Sequence, residues 1–362
     1  MPKATISAIT HYVPPQRRPN AFYAGHLDTT DEWIQSRTGI RERRIAPTGG
    51  TSDLIVRAAE RCLAARRTSA LDIDCIIVAT ITPDHVFPST ASTVQHRIGA
   101  SRAWGFDLSA ACSGFVYGLI IASKMVESGA ARRVLLCAGD KMSSITNWDD
   151  RHTAVLFGDA GSAAIIEQSD DPALGISDFV TWMDGAAGPF LQMPAGGSAR
   201  PATFETVSRR EHTLVQDGKA VFKAAVAGMT RVTTELLTRN GLTPDDIAWF
   251  VPHQANARII EAVSGRLGVD PRKVMVNIDR LGNTCAATIP TCLSEWHNSA
   301  DIEIGQQVVI ATFGAGFTAG AALVRWSSTY RTSACAREST DDAHEETDIA
   351  ATSWRPEPVL MV

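Results

Sequence analysis

Residues 69–79 read SALDIDCIIVA and residues 243–253 read TPDDIAWFVPH, so an acidic turn before an apolar run occurs twice. RVLLCAG at 133–139 and QVVIATF at 307–313 are a second similar pair, and the step from 133 to 307 equals the step from 69 to 243. We call this common step the repeat spacing. Self-similarity at one fixed spacing is the sequence signature of a repeated structural unit. The sequence therefore predicts one fold that is duplicated along the chain.

The segments around these repeats alternate between strand-like and helix-like patterns. Apolar runs of strand length occupy 75–81, 133–139, 248–253 and 307–313. Between them, SDLIVRAAERCLAARR and RIIEAVSGRLG space their apolar residues as amphipathic helices do. This alternation favours a mixed α/β architecture in which helices cover a sheet.

The composition is that of a globular protein, because 44% of the 362 residues are hydrophobic and 20% are charged. A net charge of −5 and a pI near 6.0 argue against a general nucleic-acid binder, in which basic residues dominate. No apolar run approaches the roughly 20 residues that cross a bilayer, and MPKATISAIT lacks the apolar core of a signal peptide. We therefore expect a cytoplasmic enzyme without a nucleic-acid or membrane role.

Seven cysteines are scattered along the chain, at positions 62, 75, 112, 137, 285, 292 and 335. Their number is odd, and no two of them form a CxxC pair. Disulfide frameworks and zinc sites need an even or closely spaced set of cysteines. We therefore expect reduced thiols and no metal site.

Cys112 lies in SAACSGFV, between the strand-like RAWGFDL and the helix-like GFVYGLIIASKMV. Unpaired N–H groups at a helix N-terminus favour thiolate over thiol. The small residues that flank the cysteine leave room for a substrate to approach the sulfur. Both features favour a nucleophile over a core-filling residue. Cys285 has the pattern of a small packing residue, and Cys137 lies within an apolar strand, where burial raises the pKa of a thiol and keeps it inert.

Two polar residues of the second half lie in apolar surroundings, His253 in VPHQANARI and Asn283 in LGNTCAAT. Each alone is typical of a structural histidine or a turn-forming asparagine. If the halves pack around one core, however, corresponding loops meet, and Asn283 falls opposite Cys112 at nearly the repeat spacing. The three residues together indicate a thiol nucleophile with an imidazole and an amide beside it.

Several further segments accompany the Cys112 loop, namely VPHQANARI, GNTCAATIP, FGAGFTAGAALVRW, DTTDEWIQSRTGIRERR and DRHTAVLFGDAG. Together they resemble β-ketoacyl-ACP synthase III, a member of the thiolase superfamily, where ACP is acyl carrier protein. The likeness runs from about residue 5 to about residue 326. It implies an α/β, duplicated thiolase-like fold in αβαβα layers, with halves at 1–175 and 176–326. Residues 327–362 form a polar, acidic tail, whose composition does not support ordering by itself.

The resemblance implies a decarboxylative Claisen condensation that initiates fatty acid or polyketide synthesis, with Cys112, His253 and Asn283 as the catalytic set. An acyl group moves from coenzyme A (CoA) to the cysteine, and malonyl-ACP then loses carbon dioxide to give the carbanion that attacks the thioester. The imidazole and the amide donate to the enolate oxygen. The backbone N–H groups of Cys112 and Ala315 form the oxyanion hole, provided that φ is negative at Ala315, where relatives often carry glycine. The CoA thioester is a substrate, and no cofactor or metal is implied.

The same resemblance implies a CoA site. Trp33 and Arg151 match residues that hold the adenine between an indole and a guanidinium. The other matched CoA contacts are Arg37, Gly218, Phe222 and Asn256. Taken singly, a core tryptophan and solvated arginines are the ordinary interpretation, and the shared motifs favour the CoA role.

The resemblance also implies partners. Lys223, Arg258 and Arg266 match the basic face that docks ACP, where charge steers encounter more than it sets affinity. Without that context each is an ordinary solvated helix charge. The family is homodimeric, and Phe87 matches a residue that crosses the interface to close the acyl pocket of the partner.

Two other functions stay open at this point. One is a thiolase-superfamily acyltransferase or condensing enzyme of secondary metabolism with a different acceptor. The other is a catalytically silent binding or scaffold subunit, which is disfavoured because all three catalytic positions carry competent residues.

Overall fold

The computed structural model describes residues 3–299 and 301–330, so residues 331–362 of the predicted tail lie outside the described residues. The strands in the described part are β1 (Ala4–Tyr12), β2 (Arg17–Pro19), β3 (Glu42–Arg44), β4 (Cys75–Ala79), β5 (Trp104–Leu108), β6 (Arg133–Lys141), β7 (Asp159–Gln168), β8 (Gly175–Met183), β9 (Leu191–Gln192), β10 (Val215–Gln216), β11 (Trp249–Pro252), β12 (Gln307–Gly314) and β13 (Thr318–Arg325). The α-helices there are α1 (Asn20–Ala24), α2 (Asp31–Thr38), α3 (Thr51–Arg66), α4 (Thr90–Arg97), α5 (Gly114–Glu127), α6 (Phe204–Ser208), α7 (Gly218–Arg239), α8 (Ala257–Leu267), α9 (Ile278–Leu281) and α10 (Thr288–Asn298).

The strands form two main sheets with the same internal order. The five-stranded sheet runs β1-β7-β6-β4-β5, and the four-stranded sheet runs β8-β13-β12-β11. In each sheet the strands that carry the repeats, β4 with β6 and β11 with β12, pair in parallel. β5 is the edge strand of the five-stranded sheet, next to β4. At the corresponding edge of the four-stranded sheet, next to β11, Phe250 and Val274 form a parallel bridge. The duplication predicted from the repeats is confirmed.

Helices cover and separate the two sheets. α3 and α4 pack on the outer face of the five-stranded sheet, and α7 and α8 pack on the outer face of the four-stranded sheet. α5 and α10 lie between the sheets in one shared core. The predicted α/β class and αβαβα layering are confirmed.

The repeat strands are buried on both faces, which explains their continuous apolar sequence. In β4, Ile76 and Val78 face the outer helices, whereas Cys75, Ile77 and Ala79 belong to the core between the sheets. All five side chains have no exposed surface. A strand with this environment reads as an unbroken apolar run rather than as an alternation.

The repeat extends to two short 3-10 turns, Ala111–Ser113 and Cys285–Ala287, which precede α5 and α10 and are separated by the repeat spacing. Each turn begins with a left-handed residue, Ala111 at φ 47° and Cys285 at φ 53°. The counterpart of Cys112 is therefore Ala286, and the predicted pairing of Cys112 with Asn283 is displaced by three positions. The predicted boundary after residue 175 stays a prediction.

Candidate active site

One cavity lies where β5, β11 and β12 end, and it collects most of the predicted site residues. Nine of them line it, namely Trp33, Arg37, Cys112, Gly218, Phe222, His253, Asn256, Asn283 and Ala315. The other five are outside its lining, namely Phe87, Arg151, Lys223, Arg258 and Arg266. The fold thus brings side chains from both halves of the chain to one space.

Cys112 stands in the turn before α5, and its carbonyl oxygen accepts a hydrogen bond from the Thr312 hydroxyl at 2.8 Å. Its Sγ atom lies 3.7 Å from Sγ of Cys285. A hydrogen bond with the Cys285 thiol, together with the nearby His253 ring, holds the pKa of Cys112 well below that of an ordinary thiol, although burial acts in the opposite direction. The arrangement therefore favours the thiolate, which is the nucleophilic form.

His253 directly follows β11 and is 2% exposed. Its backbone N–H donates to the Ala311 carbonyl at 2.8 Å. Its Nδ1 atom lies 2.7 Å from the Thr288 hydroxyl oxygen. Because the partner of one ring nitrogen sets the role of the other, Nε2 is the nitrogen left to act in the cavity.

Asn283 is held in the loop before α10 by three hydrogen bonds. Its backbone N–H donates to Leu156 at 2.9 Å, and its carbonyl accepts from Gly158 at 3.1 Å. Its Oδ1 atom accepts from the Cys285 N–H at 2.9 Å. With Oδ1 used in this way, Nδ2 is the end of the amide that can donate to a bound molecule.

The end of β12 brings Gly314, the residue before Ala315, close to the backbone of Cys112. A Cβ built on Gly314 would lie 3.0 Å from the Cys112 nitrogen and 3.1 Å from the Ser113 nitrogen, so glycine permits the approach. Ala315 is not among the residues with positive φ, which meets the condition set for a backbone donor there. The two predicted oxyanion donors lie on neighbouring stretches of backbone.

Comparison with known proteins identifies the family. The family model for 3-oxoacyl-[acyl-carrier-protein (ACP)] synthase III matches residues 106–185, and the model for its C-terminal part matches residues 237–326. The chain is 49% identical over 327 residues to β-ketoacyl-[acyl-carrier-protein] synthase III of Chlorobium chlorochromatii (strain CaD3), with 90% of this chain and 99% of that protein covered. This chain belongs to the β-ketoacyl-ACP synthase III family.

Solved structures agree with this membership. The β-ketoacyl-ACP synthase III of Thermus thermophilus is 42% identical and superposes with a TM-score of 0.82, covering 89% of this chain and 99% of that one. The priming β-ketosynthase of the R1128 polyketide biosynthetic pathway is 34% identical with a TM-score of 0.83, covering 91% of this chain and 98% of that one. The predicted thiolase-like fold of the β-ketoacyl-ACP synthase III family is confirmed.

Trp33 and Arg151 of this family member lie together. Cζ of Arg151 is 5.4 Å from the centre of the Trp33 ring, and its Nη1 donates to the carbonyl and carboxylate of Asp28 at 2.8 and 3.0 Å. An aromatic base between the two groups needs about 7 Å, twice a van der Waals contact. Arg151 therefore has to move outward to admit a base, and its exposed ion pair with Asp28 opposes this weakly.

The Asn256 side chain stabilises the fold and also lines the cavity. Its Oδ1 caps α8 by accepting from the Arg258 N–H at 2.9 Å, and its Nδ2 donates to the Arg37 carbonyl at 3.0 Å. The second bond joins α8 to α2. The two helices meet so closely at Gly39, with φ 78°, that a Cβ there would lie 2.5 Å from Cβ of Ala257.

The three basic residues predicted to dock ACP are exposed, with Lys223 on α7 and both Arg258 and Arg266 on α8. Cζ of Arg258 lies 5.6 Å from the centre of the Phe222 ring, so it adjoins the cavity lining. Phe87, predicted to cross a dimer interface, is 84% exposed.

Thr288, Thr312 and Cys285 contact the predicted catalytic residues. No sequence pattern assigns the two threonines that place. The threonines lie in apolar stretches, where a buried hydroxyl is ordinary. Cys285 has a usable signal, because the repeat spacing pairs it with Ala111, the neighbour of Cys112.

Among residues 3–299 and 301–330, no cluster of three or more His, Cys, Asp or Glu side chains is arranged to hold a metal ion. The cysteines in this part of the chain are free thiols. No helix among the same residues is both long and apolar enough to cross a membrane.

Proposed function

We propose that this protein condenses a short acyl-CoA primer with malonyl-ACP, releases carbon dioxide and so initiates fatty acid or polyketide synthesis. The observation that carries the proposal is the convergence of Cys112, His253 and Asn283 on one cavity, with the pKa of Cys112 lowered. Membership of the β-ketoacyl-ACP synthase III family supports the reaction class.

In the first half-reaction the Cys112 thiolate attacks the carbonyl carbon of acyl-CoA. A carbon–sulfur bond to Cys112 forms, the carbon–sulfur bond to CoA breaks, and CoA leaves as a thiolate that takes a proton from solvent. The backbone N–H groups of Cys112 and Ala315 donate to the oxyanion formed in between. Preorganised donors of this kind act most strongly where water is excluded.

In the second half-reaction malonyl-ACP loses carbon dioxide, and the electron pair of the broken bond forms an enolate. Nε2 of His253 and Nδ2 of Asn283 donate to the enolate oxygen. Its carbon then attacks the Cys112 thioester, a carbon–carbon bond forms, and Cys112 leaves as thiolate with β-ketoacyl-ACP as product. Every step uses groups of this chain and its two substrates, so the reaction proceeds without a cofactor or metal.

The remaining predicted residues bind the two substrates. Trp33 and Arg151 hold the adenine, and the other CoA contacts are Arg37, Gly218, Phe222 and Asn256. The exposed charges of Lys223, Arg258 and Arg266 attract the acidic surface of ACP to the side of the cavity next to Phe222. The encounter is then steered by charge and weakens as salt is added.

The protein acts in the cytoplasm as a homodimer in which Phe87 closes the acyl pocket of the partner. The exposure of the Phe87 side chain supports the dimer. Phe87 is 84% exposed and adjoins Val86, which is 91% exposed, and adjoining exposed apolar side chains mark interaction surfaces. Sedimentation equilibrium is expected to show twice the chain mass of 38.8 kDa. A single species of 38.8 kDa at working concentrations would remove this role of Phe87.

The likeness to the R1128 priming β-ketosynthase supports a role in secondary metabolism, for which the second candidate function is acyl transfer or condensation with another acceptor. A panel of acyl-CoA donors and of acceptors, with products identified by mass, separates the two. Release of one carbon dioxide for each β-ketoacyl-ACP formed supports the first proposal. An acylated product of a different acceptor supports the second, and no product with any pair contradicts both.

A further inference from the structure

The side chain of Cys285 reaches the sulfur of Cys112 from the opposite half of the fold. The two Sγ atoms are 3.7 Å apart, within hydrogen-bonding range for sulfur. Cys285 is 1% exposed, and Oδ1 of Asn283 fixes its backbone N–H at 2.9 Å. The thiol therefore has a defined place beside the proposed nucleophile.

The backbone explains how the thiol is presented. Cys285 has φ 53°, the same left-handed conformation as its counterpart Ala111 at φ 47°. Glycine adopts this conformation without strain, whereas any Cβ adds strain. The duplicated fold imposes the same backbone in both halves, and in the second half a thiol projects from it toward Cys112.

A carboxylate flanks Cys285 as well. Asp140, at the end of β6, has no exposed surface and accepts hydrogen bonds from the N–H groups of Ile81 at 2.8 Å and Ala286 at 3.1 Å. The hydrogen bond to Cys112, burial, the Asp140 charge and a hydrogen bond to Asp140 all raise the pKa of Cys285. Placed between two anionic groups, Cys285 keeps its proton, which it can donate to either of them. The Asp140 carboxylate already accepts these two N–H bonds and one from the Thr80 hydroxyl at 2.9 Å, so the S–H proton is assigned to Cys112. His253 is the third titratable group that faces Cys112.

We propose that Cys285 is a positioning residue of the condensing site, whose S–H group donates a hydrogen bond that stabilises and orients the Cys112 thiolate. The inference rests on the proposed role of Cys112 as the residue that takes the acyl group. Cys285 itself takes none, because it stays protonated.

The test is the pH dependence of Cys112 alkylation by iodoacetamide, followed by peptide mass in the wild type, Cys285→Ala and Cys285→Ser. Alanine removes the donor, whereas serine keeps a hydroxyl donor. Where the rate follows the thiolate fraction, on the acid side of the profile, alanine is expected to slow alkylation roughly threefold to tenfold at a given pH. The profile moves to higher pH, and serine restores most of the rate.

Cys292→Ala is the matched control, because it removes another fully buried thiol from α10 without touching Cys112. It is expected to leave the profile unchanged. Cys285→Gly suits a φ of 53° and also lacks the donor, so it replaces the alanine variant if that variant does not fold. Coincident profiles for the wild type and a folded variant without the donor would overturn this inference but would leave the proposed function standing. A wild-type Cys112 that reacts no faster than an ordinary thiol contradicts the proposed function as well.

Discussion

Nδ1 of His253 lies 2.7 Å from the hydroxyl oxygen of Thr288, and that hydroxyl is also 3.1 Å from the Cys285 carbonyl. A hydroxyl has one proton, so it donates either to the ring or to the carbonyl. When it donates to Nδ1, a neutral His253 carries its own proton on Nε2. That is the tautomer that can donate to an enolate oxygen in the cavity.

Thr288→Val is expected to slow malonyl-ACP decarboxylation roughly tenfold to hundredfold, the range seen when a group that orients a functional side chain is removed. Valine keeps the branched shape but has no proton to give Nδ1. Thr288→Ser keeps the hydroxyl and serves as the control. Carbon dioxide release under single-turnover conditions measures the effect, and equal rates for the valine and serine variants would exclude a role of Thr288 in setting the tautomer.

The two half-reactions are expected to separate in Asn283 variants. Asn283→Asp keeps an oxygen that accepts from the Cys285 N–H, but it replaces the amide donor with an anion that repels the enolate. Decarboxylation is expected to fall ~10²- to 10³-fold, the usual cost of a lost oxyanion donor. The rate of decarboxylation by Asn283→Ala and by His253→Ala is expected to fall by a similar factor.

Acyl transfer to Cys112, measured in the same variants, is expected to persist in the Asn283 variants and to slow less than decarboxylation in His253→Ala. His253 contributes to lowering the pKa of Cys112, which accounts for the difference between the two positions. If all of these variants lost acyl transfer as severely as decarboxylation, His253 would have to be the base that activates the cysteine.

Trp33→Ala is expected to raise KM for acyl-CoA roughly fivefold to hundredfold, because stacking of a base on an aromatic ring contributes about 1–3 kcal/mol. The control is the same acyl group on pantetheine, which lacks the nucleotide. Its KM is expected to be the same for the variant and the wild type. Equal changes for both substrates would mean that Trp33 supports the fold around α2 rather than the nucleotide.

Glu167→Gln is expected to lower the free energy of unfolding at pH 7 by roughly 1–3 kcal/mol, because the carboxylate accepts from Nε of Arg66 at 2.5 Å and Nε of Arg133 at 2.6 Å. Burial raises the pKa of Glu167, but these two bonds, together with a hydrogen bond to Ser7 and the charge of Arg66, outweigh it and lower the pKa on balance. A lowered folded-state pKa gives stability that is present above the unfolded pKa of about 4.3.

The difference between wild type and Glu167→Gln should therefore shrink as the pH falls below that value and through the folded pKa of Glu167. Urea unfolding at a series of pH values measures it. Glu60→Gln, at an exposed position of α3, is the control and is expected to change little. A difference that stays constant across the acid range would contradict the assignment.

The sequence predicts the fold well because the repeat strands are buried on both faces. The run at 133–139 is found as β6 (Arg133–Lys141), and the run at 307–313 as β12 (Gln307–Gly314). Continuous apolar runs of this length have few other places in a globular α/β fold. The small residues around Cys112 likewise mark the point where a strand passes into a helix.

The contacts of Thr288 and Asp140 are a different case. Asp140 contacts Ala286 of the other half, and Thr288 contacts His253 of a separate loop in the same half. Both contacts depend on how distant elements pack rather than on any local pattern. The closeness of Cys112 and Cys285 follows from the register of the duplication. The repeat spacing recovers that register, whereas the pairing of Cys112 with Asn283 misses it by three positions. Arg151 meets Asp28 through side-chain geometry that no spacing encodes.

The central claim is that Cys112 carries the acyl group, and intact mass after incubation with acyl-CoA tests it most directly. The wild type and Cys285→Ala are each expected to gain the mass of one acyl group, although the second does so more slowly. Cys112→Ala is expected to gain none. A Cys112→Ala protein that still gained one acyl group, or a wild type that gained none with any acyl-CoA, would contradict the account.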